Sequence, residues 1–195
     1  MTNKTREDAW ALVTAHTESE SLRRHMLAVE AAMRAYARRF GEDEDRWALA
    51  GLLHDFDYEE HPNPNGVADE NEHPLFGARV LEAQGYPDDV IYAIKTHAEY
   101  LDLPRRAPMD RALFAVDELT GFITAAALVR PDKSIHSLEA RSVRKKMKDK
   151  AFARAVSRED MQRGADELGV DLNEHVEIVI AAMRGIAEDL GLAGV

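Results

Sequence analysis

Apolar positions recur along much of the chain at steps of three and four, the spacing of one helix face, so the pattern predicts helices. A first helix covers about Thr5 to His16, with Trp10, Leu12 and Val13 as a short stripe. The second is the most regular: Leu22, His25, Val29, Ala32 or Met33, Tyr36 and Phe40 share a face, and Gly41 closes it as the residue just past the end. A third helix starts with Asp43 or Asp45 as N-cap and is apolar through Trp47, Leu49, Ala50, Leu52 and Leu53, which predicts a central, buried element. Two Pro, two Asn and a Gly then mark residues 57–66 as a loop whose acidic side chains are expected to be solvated.

His73-Pro74-Leu75-Phe76-Gly77-Ala78 opens the next helix, with His73 at the cap position and Pro74 in the first turn. Gly85-Tyr86-Pro87 stops that helix and restarts another, which carries Val90, Ile91 and Ile94 and ends near His97. Beyond the Pro-broken linker 103–108, a long helix runs from about Met109 to Val129. Three more follow, from near Ser137, from about Arg158 to Leu168, and from about Asn173 to Leu190. The expected fold class is all-α. A chain of 195 residues suits one globular unit, with a core at about 20–125 and a C-terminal helical extension at about 131–195.

Composition narrows the chemistry. No run of eighteen or more apolar residues occurs, and Met1 to Arg6 leads into Glu7 and Asp8 rather than an apolar signal region, so the expectation is a cytoplasmic protein without membrane contact. With no cysteine, disulfides, thiolate ligands and cysteine nucleophiles are excluded, and a metal must be held by His, Asp or Glu. The net charge of −11 argues against general nucleic-acid binding, and a small anionic substrate would need local cations or a metal. Arg141, Arg144, Lys145, Lys146, Lys148 and Lys150 form a basic run whose default reading is a solvated helix face.

The candidate chemistry begins where the third helix delivers His54 and Asp55 out of the core. Adjacent helical residues point about 100° apart, so these two can converge on one small object only at a helix end or bend. His25 lies within the apolar stripe of the second helix and needs a buried partner. His73 and His97 stand at helix ends, and Asp117 interrupts the long apolar helix. Taken singly, each reads as a cap, a bonded core residue or an exposed carboxylate. His16, His136 and His175 read as structural or exposed.

Collected in order, His25, His54, Asp55, His73, His97 and Asp117 resemble the ligand pattern of the HD-domain superfamily, helical metal-dependent phosphohydrolases. Leu-Leu-His-Asp, His-Pro-Leu-Phe-Gly-Ala and Ala-Val-Asp-Glu-Leu carry the resemblance, which covers about Leu22 to Phe122. It implies His25, His54, Asp55 and Asp117 around one ion, with His73 and His97 adding a second ion bridged by Asp55. One or two divalent transition metal ions are implied, iron or manganese first, with zinc, nickel or cobalt also compatible with nitrogen and oxygen donors. The expected activity is hydrolysis of a phosphoester or nucleotide by a metal-activated water, on a small anionic phosphorylated substrate. His61 and Lys133 are the candidates for a proton donor near the leaving group. Alternatives on the same scaffold are a di-iron oxygenase and a non-catalytic nucleotide-binding sensor.

Overall fold

The computed structural model describes residues 4–195, and among these the chain forms nine α-helices and no strand. They are α1 (Arg6–His16), α2 (Glu20–Phe40), α3 (Glu44–Leu53), α4 (Leu75–Ala83), α5 (Asp88–His97), α6 (Pro108–Leu128), α7 (Ala140–Met147), α8 (Arg158–Leu168) and α9 (Leu172–Arg184). The all-α expectation holds. No helix among the described residues is long and apolar enough to cross a membrane.

Local chemistry explains most boundaries. Asp43 caps α3 by accepting from the amides of Asp45 and Arg46, and Gly41 ends α2 in the left-handed region at φ 71°. Pro87 precedes the first residue of α5 after Gly85 at φ 75°, so the Gly85-Tyr86-Pro87 tripeptide is a helix stop and restart. Three expectations need correction. His73 does not cap α4; Pro74 stands there, and the His73 ring is engaged elsewhere. The basic helix begins at Ala140 rather than near Ser137, because Ser137 bonds back to Asp132 and Leu138 closes a turn onto Ile135. The last helix stops at Arg184, after which Gly185, Ile186 and Ala187 bond to carbonyls three residues back in a tighter turn.

Two glycines set the packing that matters for the site. A Cβ on Gly51 would stand 2.9 Å from the Cα of Glu30, so α3 crosses α2 at backbone contact. A Cβ on Gly164 would stand 2.6 Å from the Cα of Ala115, and α8 is seated against α6 in the same way. The C-terminal helices therefore share the core with α2 and α6: one buried apolar cluster includes Val13, Met33, Leu53, Phe122, Val176 and Leu192. Glu30, 5% exposed, is matched by a two-pronged ion pair from Arg6 at 2.7 and 2.9 Å, which ties α1 to α2.

His175 is a fully buried structural residue. Its Nε2–H donates to the Ala115 carbonyl at 2.9 Å, which leaves Nδ1 to accept from the Tyr36 hydroxyl. Burial pushes its pKa down to about 4. The unfolded state, titrating near 6.5, takes up this proton first, so stability present above about 6.5 is lost as pH falls towards 4. Urea unfolding at a series of pH values should show wild type losing stability relative to His175→Gln across that window, by about 3 kcal/mol at most.

Candidate metal centre

Four helices and one loop converge on a single carboxylate. His25 projects from α2, His54 and Asp55 follow the last turn of α3, His73 precedes α4, His97 ends α5, and Asp117 lies midway along α6. The close α2–α3 crossing at Gly51 brings His54 against His25, and their Nε2 atoms stand 3.2 Å apart. The Nε2 atoms of His73 and His97 stand 3.3 Å apart. Asp55 lies between the two pairs. Its Oδ2 is 3.4 Å from His54 and 3.8 Å from His25, and its Oδ1 is 3.5 Å from His73 and 3.6 Å from His97. Asp117 joins the first pair, with Oδ1 at 3.0 Å from His25 and 3.5 Å from His54.

The outer nitrogens of three rings fix which atom faces inward. Nδ1 of His54 meets the Gly51 carbonyl at 2.8 Å and Nδ1 of His97 meets the Ile94 carbonyl at 2.5 Å. A carbonyl can only accept, so both Nδ1 atoms carry a proton, and Nε2 is the nitrogen each ring can present to a cation once it is neutral. Nδ1 of His73 meets Oδ1 of Asp57 at 2.8 Å. His25 differs: its Nδ1 has only the Thr120 hydroxyl, at 3.5 Å.

This donor set suits a cation. Two donors sharing an ion at about 2.1 Å, with about 90–110° between them, stand about 3.0–3.4 Å apart. Most of the separations above fall within or close to that range, and the chemistry of imidazole nitrogen with carboxylate oxygen fits a divalent transition metal. His25, His54 and Asp55 form one group that could hold an ion, and Asp55, His73 and His97 form another. Without an ion, the charges compensate one another: burial works against ionised His54, Asp55 and Asp117, but their mutual attraction holds the His54 pKa well above and the two aspartates well below their usual ranges.

The cluster opens into a cavity of about 520 Å³ walled by Tyr58, Asn63, Tyr100 and Phe114, with Glu99, Glu118 and Asp160 as further carboxylates. No lysine or arginine among the described residues lines it. Arg163, partly exposed next to the wall, pairs with Glu99 and Asp160. Burial, with the adjacent charge of Asp117, pushes Glu118 up to about 7.

Not every expected residue arrives. The His61 ring stacks on Phe76 at 3.5 Å and its Nδ1 donates to the Asn71 carbonyl at 3.0 Å, off the cavity wall. Lys133 is exposed in the turn that follows α6, also off the wall. Asp57 corrects the reading in the other direction: expected in solvent with its loop, it is 1% exposed and bonded to His73. Its position two residues after Asp55 was the available signal, but a carboxylate at the start of a Pro- and Asn-rich loop has the local character of a solvated one. Tyr58, Tyr100, Glu99, Glu118 and Asp160 also carry no sequence signature for the cavity they line.

The fold and site together define a helical, histidine- and aspartate-rich metal-binding class. The family described as HD domain matches residues 22–145, more than half of the sequence, and the chain belongs to that family, whose superfamily comprises metal-dependent phosphohydrolases. It is similar to Ribonuclease Y of Oleidesulfovibrio alaskensis, 30% identical over 103 residues that make up 53% of this chain and 18% of the relative. The chain thus spans less than a fifth of that relative's length. No solved structure matches the chain.

A cation that binds only the folded cluster must stabilise the fold by mass action, by about 2.7 kcal/mol at a hundredfold excess over Kd. Calorimetry with added Mn(II) or Zn(II) should raise the melting temperature of wild type and leave that of Asp55→Ala unchanged.

Proposed function

We propose that the chain is a metal-dependent phosphohydrolase acting on a small phosphoester or nucleotide. The observation that carries this reading is the placement of Asp55, with one carboxylate oxygen towards His25 and His54 and the other towards His73 and His97. On this reading His25, His54 and Asp117 would hold one ion, His73 and His97 would hold a second, and Asp55 would serve both. When bound, such ions would supply Lewis acidity and lower the pKa of a water towards neutrality.

The rest of the reaction falls to this chain's own groups. His54 is fully buried, and its Nδ1–H is fixed on the Gly51 carbonyl, so its ring cannot turn away from the cluster. His25 and Asp117, each about a quarter exposed, form the side of the cluster open to the cavity and to an incoming phosphate. Tyr100 gives the cavity a ring against which an organic group can lie, whereas the Phe114 ring is covered by the Arg105 guanidinium at 3.7 Å and the Asn63 amide is spent on Val67 and the His73 carbonyl. The remaining wall is acidic, so an anion has no protein cation to meet there, and its binding depends on the ions. The relative's name denotes action on RNA; the acidic wall and net charge of −11 favour a small substrate over a polyanion here.

A panel of phosphomonoesters, phosphodiesters and nucleotides, assayed with added Mn(II) or Fe(II), tests the reading. Turnover of at least one class is expected, with a loss of a hundredfold or more, about 2.7 kcal/mol in the barrier, in His54→Ala and Asp55→Ala. Chelation should abolish substrate binding as well as turnover. Nucleotide binding without hydrolysis would support a sensor instead, and bound iron with a mixed-valent signal but no phosphatase activity would support an oxygenase.

A further inference from the structure

One histidine of the centre, His73, is held differently from His54 and His97, which are each locked onto the carbonyl three residues back. Asp117 belongs to the interior of α6. His73 stands outside any helix, at the end of the 57–72 segment and before α4. Its ring is oriented by a carboxylate brought from the other end of that segment, Asp57.

Asp57 is a buried clamp. Oδ1 accepts from His73 Nδ1 at 2.8 Å, and Oδ2 accepts from the Gly77 amide at 2.7 Å in the first turn of α4. Both oxygens are thus engaged by groups at the start of one helix. No arginine or lysine pairs with this 1%-exposed carboxylate among the described residues, so these two bonds are what its burial rests on. Gly77 is there to admit it: a Cβ at this position would lie 2.8 Å from both Cγ and Oδ2 of Asp57. The backbone of His73 is held separately, its amide donating to the His61 carbonyl at 2.7 Å and its own carbonyl accepting from the Tyr100 hydroxyl. The backbone would therefore stay in place if the ring lost its partner.

We propose that Asp57 is the positioning residue on which the His73–His97 half of the centre depends, so that it decides whether the chain holds one ion or two. The inference rests on the two-ion reading above and goes beyond it. A carboxylate on the far nitrogen of a histidine ligand fixes the tautomer that presents Nε2, orients the ring and raises its basicity; losing such a partner costs about 10- to 100-fold in metal affinity. In Asp57→Asn the side-chain oxygen can still accept from one of its two donors, but its NH2 group then faces the other donor, His73 Nδ1–H or the Gly77 amide. The His25–His54–Asp117 half touches neither Asp57 nor Gly77 and should be spared.

The test is a Zn(II) titration of wild type, Asp57→Asn and Gly77→Ala, with metal per folded chain measured after gel filtration and long-range ¹H–¹⁵N spectra of the imidazoles on the zinc-loaded proteins. Wild type should bind two ions. Asp57→Asn should bind one with unchanged affinity and the second about 10- to 100-fold more weakly, with the His73 Nδ1–H signal shifted or lost and that of His54 unchanged. Gly77→Ala, which keeps the carboxylate but crowds it, should weaken the same ion and provides the same readout if Asp57→Asn does not fold. Two ions bound with wild-type affinity in the variants, or equal weakening of both ions, would overturn the proposal. So would a wild type that binds only one. A wild type that binds no transition metal would instead remove the phosphohydrolase reading on which the proposal is built.

Discussion

Four imidazoles and two carboxylates packed at 3.0–3.8 Å must neutralise one another, by exchanging protons or by sharing a cation. Asp55 meets that constraint geometrically, since a carboxylate has two oxygens and each here faces its own histidine pair. Much of the architecture serves this placement. The α2–α3 crossing at Gly51 is close enough to bring His25 and His54 together, and α5 ends where His97 reaches the same carboxylate. Charge compensation among these groups is strong, but it leaves donors aimed at one another, an arrangement a divalent cation satisfies better than protons do.

The same constraint shapes the cavity. Glu99, Glu118 and Asp160 add carboxylates to a wall already containing Asp55 and Asp117, and the nearby Arg163 is spent on Glu99 and Asp160. In most anion sites the protein supplies fixed cations such as arginine or lysine; here the attraction for a phosphate would come from the ions. Under the proposed function, binding and chemistry would be two consequences of one metal content. The basic residues of α7 lie outside this wall; Arg141 and Lys145 are exposed, whereas Arg144 and Lys146 are half-buried, with Lys146 over the Phe152 ring.

Much of the helical framework was legible from the sequence because α2, α3 and α6 carry strong apolar periodicity and because Asp43, Gly41 and Gly85 are local signals with local causes. The ligand candidates were legible only as an ordered set; no property of His73 or His97 alone separates a ligand from a helix-end residue. Asp57 was misplaced for a physical reason. Its burial depends on His73 and on the missing side chain of Gly77, sixteen and twenty residues away, and neither contact leaves a trace in the loop-like composition around it. His61 and Lys133 lie off the cavity wall, since a suitable functional group near a motif in sequence says nothing about which way the loop carries it. The tail of α9 was overextended because Ile186 and Leu190 keep a helical spacing while the backbone around Gly185 tightens into turns.

The central claim is that one carboxylate is shared by two ions. Anomalous-difference density from a crystal of the protein grown with Mn(II) measures this directly. Two peaks about 3.5–4 Å apart, one on each oxygen of Asp55, are the predicted result. A single peak, or peaks that leave Asp55 on only one ion, would contradict it.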